Sequence, residues 1–164
     1  MPSVAMHEQP GTLLFVVDAD ILRAAGHSEG HASQVRGLLN AIYEICHRVV
    51  LSEEARSEWD KHASGISLNW WTRMSNRGKI QRIRLHLTDH EEALEDSGLA
   101  PERLPGLKKD LHLVVAALEH GDNIVISNDG RAANGFRDLS RVIEEYGAVS
   151  WWNADHPIPP RLLE

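Results

Sequence analysis

Cysteine is almost missing from this chain of 164 residues, and the single Cys46 has no partner for an intramolecular disulfide. A signal peptide is not evident either, because residues 1–11 lack a basic start and a long apolar run. The longest apolar stretch, Leu13 to Val17, is far too short for a bilayer core of about 30 Å. These absences predict a reducing, cytoplasmic setting with no membrane partner. Positive charge is in short supply too, with 17 Lys and Arg against 24 Asp and Glu and a net charge of −7. Such a balance argues against indiscriminate coating of nucleic acid, although a cluster of metal-binding carboxylates would raise the acidic count without describing the substrate-facing surface. There is no internal repeat and no low-complexity tract. The length suits one domain with a real core and is too short for two comfortable ones.

What is present centres on residues 110–129, DLHLVVAALEHGDNIVISND. Apolar residues at 111, 113, 114, 117 and 118 recur at helical spacing, residues 121–123 supply a stop and a turn, and Ile124, Val125 and Ile126 form a β-branched run. A helix feeding a buried strand is half of a βαβ unit, with Asp110 opening the helix and Asp129 just past the strand. In open parallel sheets ligands bind beyond the carboxyl ends of the strands, the place predicted for Asp129. The plain alternatives are that Asp110 only favours a helix N-terminus and that Asn128, Asp129 and Gly130 are only a turn.

Upstream, TLLFVVDADIL predicts a strand covered on both faces that runs into Asp18 and Asp20. A short helix from Ile21 to Ala25 and a core-facing helix over 32–47 follow, then a strand from Arg48 to Leu51. Ser52 caps a helix with an acidic first turn that carries Glu54 and Glu58 on one face beside Trp59. The commoner fate of such glutamates is a solvated helix face. The one strongly basic stretch holds Arg73, Arg77, Lys79, Arg82 and Arg84 directly after Trp70 and Trp71. It is a candidate nucleic-acid contact, and the alternative is a solvated helix end and strand. A helix over 89–96, a Pro- and Gly-rich connection through Pro101, Pro105 and Gly106, a helix over 136–146 and a strand over 148–152 complete the chain before a Pro-rich tail. This order predicts an α/β fold, a three-layer α/β/α sandwich with a central, mostly parallel sheet.

Four acids recur where such a sheet would gather them: Asp18 in VVDADIL, Glu58 in LSEEARSEW, Asp110 in DLHLVVAAL and Asp129 in IVISND. The set, in that order, resembles the PIN domain (PilT N-terminus) nuclease family over about residues 12–152. The resemblance implies that Asp18, Glu58, Asp110 and Asp129 are catalytic carboxylates holding Mg²⁺ or Mn²⁺. It implies that the hydroxyl of Ser127 orients a neighbouring carboxylate, and that Asp20, where members often carry Asn, Ser or Thr, is a further ligand or an outer acceptor. Glu54 competes with Glu58, which the adjoining Trp59 and its depth in the helix favour. Converging carboxylates repel one another unless a cation compensates, which independently suggests a divalent-ion site. The activity implied is a metal-dependent endoribonuclease acting on RNA, with DNA not excluded. In short members it belongs to VapC-type toxins, with a small antitoxin partner and homodimers.

Two other classes compete. A PIN fold that has lost catalysis would serve as a binding module. VVDADIL also resembles the first motif of haloacid dehalogenase type phosphatases, but these need a lysine after the strand at 124–126, and none occurs after Lys109. Two histidine pairs, His27 with His31 and His86 with His90, lack a cysteine or a clear third ligand for zinc and read as surface residues. The Trp pairs, 70 with 71 and 151 with 152, are core or interface residues first. One member of each is expected to be less buried and available to a dimer or a base.

Overall fold

The computed structural model describes residues 12–27 and 31–154. The loose leader expected at 1–11 and residues 155–164 of the Pro-rich tail lie outside the described residues. Five strands, β1 (Leu14–Val17), β2 (Arg48–Ser52), β3 (Ile80–Ile83), β4 (Ile124–Ile126) and β5 (Ser150–Trp152), form one sheet in the order β3-β2-β1-β4-β5. Every pairing is parallel. Seven α-helices flank it among the described residues: α1 (Ala19–Ala24), α2 (His31–Glu44), α3 (Glu53–His62), α4 (Gly65–Asn76), α5 (Thr88–Glu95), α6 (Leu104–His120) and α7 (Gly130–Leu139).

Strand alternation sorts the core into two layers. Phe15, Val17, Val49, Leu51, Ile124 and Ile126 point to one face and pack with α1 to α4, while Val16, Val50 and Val125 point to the other and pack with α5 to α7. Burial on both faces explains why these strands read as unbroken apolar runs. The result is a three-layer α/β/α sandwich. No helix among the described residues is long and apolar enough to cross a membrane.

The structure corrects four sequence boundaries. β3 and α4 both lie in the stretch that reads only as basic or undefined. Ser64 and Ser67 form a capping box at the start of α4, Gly78 turns the chain at φ +67°, and β3 pairs at the edge of the sheet. None of the β3 residues is fully buried, so no apolar run marks the strand. The helix that Asp110 was expected to open begins at Leu104, because Pro105 is tolerated in a first turn, where its missing N–H has no intrahelical acceptor. Asp110 therefore projects from the helix interior. Lastly, the helix expected over 136–146 starts earlier, at Gly130, and ends at Leu139. Ser140 closes it by bonding back to the Arg137 carbonyl, and a 3-10 turn at Glu144–Ala148 leads into β5.

From β1 the chain moves outward through β2 to β3, then returns to the other side of β1 for β4 and β5. The strand order thus reverses between β1 and β4, and the crevice past their carboxyl ends is the topological switch point where open α/β sheets place ligands.

Candidate functional site

Asp18 follows β1 and occupies the N-cap position of α1, yet its side chain makes no capping bond. Its Oδ2 instead accepts a hydrogen bond from the Ser127 hydroxyl at 2.8 Å, across the switch point from the end of β4. The same Ser127 Oγ accepts the Asp129 N–H at 3.0 Å, so one hydroxyl ties the two aspartates together. Asp20 Oδ2 accepts the Asn128 N–H at 3.0 Å and lies 3.4 Å from Ser127 Oγ. A hydroxyl has one proton, and the shorter distance gives it to Asp18. Asp129 caps α7, its Oδ1 accepting from the backbone N–H groups of Arg131 and Ala132 at 3.0 Å. The residues that read as a turn are a helix cap that also sets a carboxylate at the crevice.

Glu58 is delivered by its neighbour. Trp59 is fully buried, donates from Nε1 to the Val17 carbonyl at 2.9 Å and packs edge-on to Trp71. This bond clamps α3 to the last residue of β1, directly before Asp18. Glu58 then faces the crevice, with Lys61 and His62 of its own helix 3.4 and 3.5 Å from its two oxygens. Asp110 enters from α6. The four acids, with Asp20, His62, Lys109 and His112, line one cavity of about 740 Å³.

Burial and mutual repulsion act on the cluster. The Asp110 carboxyl is pushed up to about 7, first by burial and then by the charges of Asp18 and Asp129, with Glu58 adding to them and Lys109 opposing. Asp20 is also pushed up to about 7, by burial and the Asp18 charge, although the Asn128 N–H and Ser127 partly counter this. Asp20 Oδ1 is buried with no protein partner. In both groups burial acts first and neighbouring carboxylates add to it, so positive charge in the crevice would relieve Asp110 and Asp20.

His112 was not singled out from the sequence. It stands in an otherwise apolar run, is 8 % exposed, and its Nδ1 is buried without a partner. Burial lowers its pKa while Asp18, Glu54 and Glu58 raise it. The signal available was a lone polar side chain within LHLVVAAL, two residues from Asp110. Helical periodicity hides it, since positions i and i+2 do not share a face. His27 and His31, which read as surface residues, are exposed and line the cavity rim with Arg23. Glu54 lines an adjoining cavity with Glu58 and His112, and its buried Oε2 has no partner.

Within the basic stretch three side chains engage the end of α2. Lys79 Nζ donates to the carbonyls of Ile42, Tyr43 and Ile45 at 2.5–2.6 Å, satisfying the end of α2. The guanidinium groups of Arg73 and Arg77 stand 3.9 and 4.4 Å from the Tyr43 ring centroid. All three precede β3, at the amino edge of a parallel sheet whose carboxyl edge carries the acids. Arg82 lies within β3 opposite Leu51, and only Arg84 follows it, 3.7 Å from Glu53. Trp70 is buried, donating to the Leu39 carbonyl, while Trp71, Trp151 and Trp152 are half-buried.

No family model matches the chain, and no curated protein matches it. The reading of the site therefore stands on its geometry. Its donors are carboxylate oxygens, the ligand type that Mg²⁺ and Mn²⁺ prefer. Among the described residues no three His, Cys, Asp or Glu side chains are grouped so as to hold a metal ion.

Proposed function

We propose that the protein is a divalent-cation-dependent phosphodiester hydrolase, an endoribonuclease by preference, working at the acidic crevice. One observation carries the reading: Asp18, Glu58, Asp110 and Asp129 come from four separate segments and face one cavity at the switch point of the sheet. Acids that share a cleft and whose carboxyls are raised by burial and by one another mark a functional-site candidate. The resemblance of the motifs to PIN nucleases supports the same conclusion.

On this reading the four carboxylates hold Mg²⁺ or Mn²⁺, which when bound would supply an activated water and offset charge developing on the phosphate. Ser127 fixes the rotamers of Asp18 and the loop of Asp129, and Asn128 does the same for Asp20. Trp59 holds Glu58 at the correct depth. Arg23 and Lys109 at the rim offset the acidic floor that a polyanion must approach. The proposal extends to a toxin of the toxin–antitoxin type, cytoplasmic and homodimeric, whose antitoxin fills the crevice.

The test is cleavage of single-stranded RNA by the purified protein. Mn²⁺ or Mg²⁺ should support it and EDTA should stop it, and Asp18→Asn or Asp129→Asn should abolish it without unfolding the domain. A wild type that binds RNA but leaves it intact with either ion would favour a catalytically silent binding module instead.

A further inference from the structure

A second cavity, of about 540 Å³, lies between the first turns of α6 and α7 and shares Asp110 and Asp129 with the acidic crevice. The two spaces therefore meet at two of the carboxylates. Its floor is apolar and low, made by the buried side chains of Leu107 and Ala132 and by Gly135. A Cβ at Gly135 would sit 2.5 Å from Leu107 Cδ2, so glycine there lets the two helices close beneath the cavity. Above this floor Gly106 faces open space, with nothing within 4 Å of a Cβ built on it. Arg131 and Asn134 line the α7 side and are exposed. Asn134 Oδ1 accepts from Arg137 at 3.2 Å, which leaves its amide donors for a ligand.

We infer that this cavity seats a nucleoside of a single-stranded RNA next to the phosphate held at the acids, an inference that rests on the nuclease reading. Its size falls within the range of about 300–1,000 Å³ typical of small-molecule sites, and an apolar floor edged by a few polar groups is their usual composition. A planar base suits the Leu107, Ala132 and Gly135 surface. The Arg131 guanidinium supplies a stacking plane or a phosphate contact, and the Asn134 amide supplies donors to a base edge. A polynucleotide explains the continuity with the acids better than an isolated small molecule does, because its phosphates and bases must occupy adjoining spaces.

The experiment compares kcat/KM in Mn²⁺ for a short single-stranded RNA and for methyl p-nitrophenyl phosphate, a diester without a nucleoside. Gly106→Phe fills the cavity from a position with open space and leaves all four acids in place, while Arg131→Ala removes the edge without touching the floor. Both should lower the RNA value more than the small-diester value, by about 10- to 100-fold for Gly106→Phe, the scale of one lost base-stacking contact. An equal fall on both substrates, or an unchanged ratio in both variants, overturns the inference. A wild type inactive on both substrates instead overturns the nuclease reading, and the two failures are thereby distinguishable.

Discussion

Asp110 projects from the interior of a seventeen-residue helix, too far from its N-terminus to gain from the helix dipole, and it is surrounded by the charges of Asp18, Asp129 and Glu58. Its carboxyl is therefore raised to about 7, as is that of Asp20. The folded protein then binds more protons than the unfolded chain between the ordinary carboxyl range and pH 7, so these groups lower stability as pH rises through that window. In metal-free buffer the melting temperature of the wild type should fall between about pH 4 and pH 7 through this term. Asp110→Asn should flatten the fall and raise the value at the upper end, by about 2–4 °C per kcal/mol of repulsion relieved. Identical pH profiles for the two proteins, measured by calorimetry, would show that Asp110 does not feel the cluster. Ser127 works on the same acids from outside. Ser127→Ala removes the donor to Asp18 and the acceptor of the Asp129 N–H, and should weaken Mn²⁺ binding by about 10- to 100-fold, as loss of a ligand-orienting partner usually does. Titration with Mn²⁺ checks it, and unaltered affinity would make Ser127 a purely local contact.

The elements carry the site through a few anchoring contacts. The bond from Trp59 to the Val17 carbonyl joins α3 to β1, so Trp59→Phe should cost about 1–3 kcal/mol in urea denaturation, the price of a buried acceptor left unpaired. It should also reduce cleavage more than Lys61→Ala does, because Glu58 moves with its helix. Equal activity of Trp59→Phe and wild type would detach the position of Glu58 from this bond. How far the elements could be foreseen varied with burial. The three central strands are covered on both faces and stand out as apolar runs, whereas β3, half exposed at an edge and carrying Gln81 and Arg82, has no such run. The start of α6 was hidden by Pro105, which marks a break as readily as a first helical turn. Asp129 showed its position but not its capping role, because Asn, Asp and Gly in succession serve turns and caps alike. The role of His112 and the cavity between α6 and α7 are tertiary facts, made by the packing of two helices that no local pattern brings together.

At the scale of the molecule, charge is divided between the two edges of the sheet. The acids and Lys109 sit at the carboxyl edge, while Arg73, Arg77 and Lys79 brace α2 at the amino edge. An RNA lying across the crevice should therefore lose salt dependence in Lys109→Ala and Arg131→Ala, by roughly 0.7 log units of slope per lost contact for a single strand. Arg77→Ala should leave the slope alone, and the reverse pattern would move the RNA path to the amino edge. Four acids collected from across the chain were legible as a set because each stands beside an apolar run, and the parallel sheet then carries them to one crevice. Their meaning rests on whether they act as one cation site. Calorimetric titration of Mn²⁺ at about pH 7, repeated in buffers of different ionisation enthalpy, tests this most directly, since ligands with raised pKa values must release protons when the ion binds. The wild type should bind Mn²⁺ with proton release, and Asp110→Asn should lose both the affinity and the protons. Binding with the same affinity and proton count in Asp110→Asn, or no binding by a folded wild type, would contradict a shared carboxylate site.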